Sequence, residues 1–226
     1  MKMRAIVVAL VALTMIGCAS QPQAPQETSG FLSGYQDFRP NPQQENSWIR
    51  TANGFTRETL TSYDKIALAP IEIWLNDQSK FEIQDKEKQQ QLTQYFEQQI
   101  RTKIDSKYQF VPHGTPDSLS IQLALTNIEE LDPEIMVRDF LPIAMARNAV
   151  QSTYRLAAAK KAVIGAASLE AKFVDTNTNN ELIAVVVNSE SDEMNVADEP
   201  ENIESIKTIV EIWVDRLATA LQPKDK

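Results

Sequence analysis

Cys18, the single cysteine of the chain, sets the first limit on its architecture. With one thiol in 226 residues no intrachain disulfide can form, so the apolar core alone must hold the fold. Cys18 ends an apolar run, Ala5 to Ile16, broken only by Thr14 and preceded by Lys2 and Arg4. Those 12 residues are too few to cross a bilayer as a helix, which takes roughly 20. A basic start, a short apolar stretch and a small residue, Gly17, just before Cys18 fit a secretory leader.

Met15-Ile16-Gly17-Cys18 resembles a bacterial lipobox, with Met15 and Ile16 in place of the usual Leu-Ala/Ser but still apolar. The resemblance implies that residues 1–17 are a signal peptide removed by the lipoprotein signal peptidase. Lipid (palmitate among the acyl chains) is then carried on the Cys18 sulfur and on the new amino terminus. One acyl chain holds a protein only marginally, at about 0.8 kcal/mol per buried CH₂, whereas three hold it for practical purposes permanently. Ala19 follows the cysteine, and with no Asp there the resemblance implies sorting to the outer membrane of a Gram-negative cell, facing the periplasm.

Loss of the leader leaves 209 residues and takes away Lys2 and Arg4, moving the formal charge from −9 to −11. That length suits one domain, and a hydrophobic share of 42% suits a folded one. So acidic a chain lacks the basic stripe that phosphate neutralisation requires, which argues against a nucleic-acid partner. Residues 18–29 read as the lipidated N-terminus and a flexible tether. Its Ala19–Ser29 part, rich in Gln and Pro, reaches roughly 35–40 Å when extended. Residues 30–226 read as a single periplasmic domain.

Within that domain, Phe31, Leu32, Tyr35 and Phe38 follow helical spacing and predict a short turn packed by aromatics. Residues 39–62 show no period, with Trp48 and Phe55 available to pin them to the body. Tyr63 to Leu75 predicts a strand apolar on both faces, in which Pro70 marks a bulge or an edge. Asp85 is placed to cap a helix running to about Ser106, with Leu92, Tyr95, Phe96, Ile100 and Ile104 as its stripe. A short strand near Tyr108–Val111 and an alternating strand over Ser118–Ile128 follow. Residues 143–163 are alanine-rich and helix-favouring. Ser168–Asp175 and Glu181–Asn188 predict a hairpin, and Glu201–Leu221 a final helix striped by Ile203, Ile206, Val210, Trp213, Leu217 and Leu221. The fold class expected is α/β (α+β): one two-layer sandwich with a mixed sheet of about four or five strands packed by two main amphipathic helices.

Three segments carry a family resemblance: Ser29-Gly30-Phe31-Leu32-Ser33-Gly34-Tyr35, then Tyr63-Asp64-Lys65-Ile66-Ala67-Leu68-Ala69-Pro70-Ile71, then Gly165–Ala171 through Val174–Thr178 with Trp213 beyond. In order and spacing they resemble a family of bacterial lipoproteins known as domain of unknown function 3313, over about residues 29–221. The resemblance implies fold and location and supplies no catalytic residues. Such proteins are usually richer in glycine ahead of Gly165, where this chain carries Arg147, Arg155, Lys160 and Lys161.

No constellation in the sequence forms a recognisable active site. His113 is the sole histidine, without the convergent His, Cys or carboxylate partners of a zinc site and without a Gly-x-Ser-x-Gly elbow to serve. The run Asp175–Glu181 invites a calcium reading, but Asn180 falls where an EF-hand needs glycine and Val186 where it needs the bidentate glutamate. A hairpin loop built on Asx turns suits it better. The acids Glu190, Asp192, Glu193, Asp198, Glu199, Glu201 and Glu204 suit a solvated loop and a helix start. Phe140–Leu169 holds four cations, Arg147, Arg155, Lys160 and Lys161, and no acid, which makes it a candidate contact for anionic lipid or wall polymer. The expectation is therefore a protein without cofactor, metal or catalytic set. It would be lipidated at Cys18 and act as an accessory, binding or structural component of the envelope, with an envelope protein or wall polymer as partner. A periplasmic hydrolase with an unrecognised carboxylate site, or a carrier of lipid or small molecules, is the alternative.

Overall fold

Alternation of Leu119, Ile121, Leu123 and Leu125 with Ser120, Gln122, Ala124 and Thr126 makes the strand around which everything else assembles. A computed structural model describes residues 24–25, 28–75, 85–104, 106–131, 163–190 and 202–222. Eight strands form one mixed sheet: β1 (Arg39–Pro40), β2 (Ser47–Thr51), β3 (Lys65–Leu68), β4 (Glu72–Trp74), β5 (Gln109–Phe110), β6 (Leu119–Leu131), β7 (Val163–Asp175) and β8 (Glu181–Glu190). Their order is β1-β2-β8-β7-β6-β3-β5, with β4 also paired to β6. The β3–β5, β3–β6 and β4–β6 pairs are parallel and the others antiparallel.

The sheet thus has more strands than the four or five expected, for two reasons. Pro70 divides the predicted Tyr63–Leu75 strand: β3 pairs with β6 through Leu68↔Ile121, and pairing resumes only at Glu72↔Ala124. The aperiodic arm contributes β1 and β2, with β2 held along β8 from Ser47↔Val187 to Thr51↔Ile183. Five residues carrying one arginine and two hydroxyl side chains are too short and polar to show a period, and the neighbouring strand decides their conformation.

Among the described residues three α-helices accompany the sheet: α1 (Arg57–Thr61), α2 (Lys86–Lys103) and α3 (Asn202–Leu221). Asp85 caps α2 as predicted, its carboxylate accepting from the Glu87 N–H at 2.8 Å. Leu92, Phe96 and Ile100 on α2 and Ile206, Val210, Trp213 and Leu221 on α3 are buried in one core with the Leu119–Leu125 face of β6 and with Leu169, Ala171, Phe173, Ile183 and Val187. The last carbonyls of α3 find donors in other elements. Arg57 Nε donates to the Ala220 carbonyl at 3.2 Å, and Tyr108 Oη to that of Leu221 at 2.8 Å.

A second, smaller core lies on the opposite face of the sheet. Ala184 and Val186 of β8 alternate with Ile183 and Val187, so they turn away from α2 and α3. Leu32 and Phe38 cover them, with Phe31, Tyr35 and Trp48 packed around. The predicted aromatic turn is a short 3-10 helix at Tyr35–Asp37. Contacts begin ahead of Gly30: Pro25 is buried and the Ser29 N–H is hydrogen-bonded to Glu170.

Candidate functional site

The side chain that organises this second face is Glu170, in the middle of β7. Its neighbours Leu169 and Ala171 enter the main core, so alternation sends Glu170 to the other face, where it is fully buried. A buried carboxylate is costly unless hydrogen bonds replace its lost water. Here the donors come from a segment some 140 residues earlier in the chain. Ser29 N–H donates to Oε1 at 3.3 Å, Leu32 N–H to Oε2 at 3.3 Å, and Tyr35 Oη to Oε2 at 2.6 Å. The Tyr35 oxygen also accepts from the Gly30 and Leu32 N–H groups, both at 3.1 Å. Residues 28–38 are in this way folded into a strap and latched to the sheet by one carboxylate. Burial, and then the hydrogen bond to Glu170, raise the Tyr35 phenol above its ordinary range.

A second clamp sits a few ångströms along the strap. Arg50 of β2 forms a two-point pair with Glu181 of β8, Nε to Oε1 at 2.9 Å and Nη2 to Oε2 at 3.0 Å. Its Nη1 donates to the Ser33 carbonyl and, at 3.0 Å, to that of Gly34, while the guanidinium lies 4.7 Å from the centre of the Phe38 ring. Gly34 is in the left-handed region at φ 63°, and a Cβ there would stand 2.7 Å from Arg50 Nη1. Glycine adopts this backbone without strain, and a side chain there would also push on the end of the Arg50 guanidinium.

The Asp175–Glu181 loop closes on itself as a hairpin turn. Asp175 Oδ1 accepts from the Asn177 N–H at 3.0 Å, the Thr178 N–H at 2.7 Å and Thr178 Oγ1 at 2.8 Å; Oδ2 accepts from Tyr63 Oη. Those four hydrogen bonds tie the carboxylate into the turn and to Tyr63. The Tyr63 bond is the largest of the effects that hold the Asp175 carboxyl below the usual range. Tyr63 itself is pushed well up, by burial first and then by Asp175. His113 is exposed in a turn. Among the described residues no three His, Cys, Asp or Glu side chains are grouped to hold a metal, and no helix is long and apolar enough to cross a membrane. Cys18, Arg147, Arg155, Lys160 and Lys161 lie outside the described residues, as does the acidic stretch 191–201.

Glu170 and Arg50 were not singled out by sequence, Tyr35 was read only as a packing aromatic, and Glu181 only as the end of the Asp175–Glu181 run. The available signal was a lone Glu in the centre of a strand whose neighbours are apolar or small, inside one of the three family segments. The structure joins that segment to the first: the Ser29–Tyr35 motif is the strap and the Ser168–Ala171 motif carries its latch. Both oxygens of Glu170 accept hydrogen bonds from the strap.

What the geometry defines is an α+β protein whose own N-terminal segment completes the sheet face opposite its helices. The chain belongs to the family described as protein of unknown function (DUF3313), whose model matches residues 27–217 and so takes in strap and latch together. The uncharacterized lipoprotein YdcL of Escherichia coli K12 is 23% identical over 203 residues, covering 88% of this chain and 87% of that one; the O157:H7 protein of the same name matches equally. These relatives are lipoproteins of unknown function. Solved structures overlay loosely. A PelC dodecamer from Paraburkholderia phytofirmans matches at 7% identity and a TM-score of 0.37, over 77% of this chain and 98% of that one. A PDZ domain protein from Parabacteroides distasonis matches at 12% identity and a TM-score of 0.37, over 80% and 36%. Overlays at that level carry no argument.

Proposed function

We infer that the protein is an outer-membrane lipoprotein, held by lipid on Cys18 and facing the periplasm. Its two-layer α+β body acts as a binding or structural component of the envelope rather than as an enzyme. The observation that carries this reading is the resemblance of Met15–Cys18 to a lipobox in a chain aligned over 88% of its length with a lipoprotein. The strap supports it from the structural side. The chain that leaves the membrane is latched to the sheet by Glu170 and Arg50, so force or position at the anchor reaches the body through defined bonds. An envelope protein or wall polymer is the partner class that suits such a body.

Two substitutions test anchor and address separately in membranes fractionated by density. The unmodified protein is expected in the outer-membrane fraction. Cys18→Ser should abolish lipid labelling and either release the protein or leave it unprocessed. Ala19→Asp should move it to the inner-membrane fraction with lipid intact. Outer-membrane retention of the Cys18→Ser variant would overturn the assignment.

A further inference from the structure

Among the described residues, Trp74 and Leu75 are the large hydrophobic side chains left exposed, at 37% and 38%. They are consecutive at the end of β4, next to the strap. Ile73 packs on the main core, so alternation turns Trp74 to the strap's face of the sheet. There the Trp74 and Phe31 rings meet edge to face with centroids 6.1 Å apart, and a Cβ on Gly30 would lie 3.6 Å from Trp74 Cζ3. The indole N–H donates to Glu72 Oε2 at 2.9 Å, which satisfies its polar atom and leaves the ring as apolar surface. Lys172 Nζ stands 5.1 Å from the centre of the Phe31 ring, adding a cation to the same place.

The strap residues beside this tip, Gly30 and Phe31, are joined to the anchor by a short length of chain. Gly30 is twelve residues from Cys18, a path that spans at most about 40 Å fully extended. Pro25 is buried part-way along it, so the free span is shorter still. Resting on the anchored-lipoprotein reading above, we propose that the Trp74–Leu75 tip, with Phe31, lies in the interfacial layer of the membrane that holds the Cys18 lipid. Tryptophan favours that layer because its ring is apolar and its N–H polar. Lys172 faces lipid phosphates and offsets the Glu72 carboxylate beside Trp74, whereas the rest of an acidic body is repelled by anionic headgroups. The tether makes the contact intramolecular, so a weak insertion is enough to orient the body.

The test uses full-length lipidated protein carrying L75C or N180C, each labelled with bimane at the introduced thiol, since the Cys18 sulfur is blocked by its diacylglyceryl thioether. Position 180 is an exposed control in the hairpin loop. It follows Asp175, which lies seven residues along β7 from Ser168, a distance of about 23 Å, and Ser168 is in the cross-strand row of Thr126 and Trp74. The protein is reconstituted into phosphatidylethanolamine–phosphatidylglycerol vesicles with and without doxyl-labelled lipid. Quenching several-fold stronger at position 75 than at 180, with blue-shifted emission, is the expected result. Equal quenching in protein that co-floats with the vesicles overturns the tip contact and leaves the anchor standing. Protein that does not co-float overturns both.

Discussion

Tyr35→Phe removes one oxygen and, with it, the shortest of the three bonds to Glu170. That oxygen donates to Glu170 at 2.6 Å and accepts from the Gly30 and Leu32 N–H groups. After its loss the Leu32 N–H keeps Glu170 Oε2 at 3.3 Å, and Gly30 is exposed enough for water to serve it. The cost therefore rests on the bond to the carboxylate. A hydrogen bond to a charged group contributes about 1.5–3 kcal/mol, and Tyr35 is only partly buried, so about 2 kcal/mol is expected. For a domain of this length that lowers the melting temperature by about 4–8 °C. Urea unfolding of a form beginning at Ala19 measures it, with an unchanged m-value. Amide exchange at Leu32 reports whether the strap opens before the body does. A double-mutant cycle with Glu170→Gln should return a coupling of about 1 kcal/mol. A loss under about 0.5 kcal/mol, with Leu32 protection unchanged, would refute the latch as an energetic device.

Further expectations concern the rest of the strap, the hairpin loop and the basic segment. Gly34→Ala should cost about 1–2 kcal/mol from the left-handed backbone alone. It should also displace the Arg50 guanidinium, so thermal melts showing no loss contradict the clamp. The Asp175 carboxyl is held below its ordinary value, so its contribution is complete above the unfolded carboxyl range near pH 4 and is lost as pH falls through the folded value. Tyr63 is raised, so its contribution is complete below about pH 10 and is lost as pH rises through the folded value. Asp175→Asn should flatten the acid limb of the stability profile and Tyr63→Phe both limbs; profiles parallel to the parent contradict the pair. Charge reversal at Arg147 and Arg155 should weaken association with anionic vesicles or wall polymer without lowering the melting temperature, and unchanged association contradicts a role for the basic segment.

The parts of the fold legible in the sequence are those where one element carries its own pattern. The stripe of α2 and the Asp85 cap, the alternation of β6, and the hairpin of β7 and β8 each reveal type and burial from spacing alone. Pro70 is legible as an interruption. That it separates two strands depends on β6 as partner: the Ala69 N–H still bonds to the Ile121 carbonyl at 2.9 Å, and only the next step of the ladder is lost. β2 has no pattern to read, because pairing with β8 rather than its own side chains makes it a strand. The latch was illegible for a related reason. Alternation assigns Glu170 to a face, and a face opposite the core is read as solvent unless something covers it. Covering by residues 28–38 is a tertiary fact, foreshadowed only by the joint presence of the two motifs in one family.

Lipid on Cys18 is the proposed feature on which the anchor, the tether and the membrane-facing tip all depend. Mass spectrometry of the mature protein extracted from the outer-membrane fraction tests it most directly. The expected product is a chain beginning at Cys18, with a diacylglyceryl group on the sulfur and an acyl group on the amino terminus. A mature chain that begins elsewhere, or one with a free Cys18 thiol in the soluble periplasm, would contradict it.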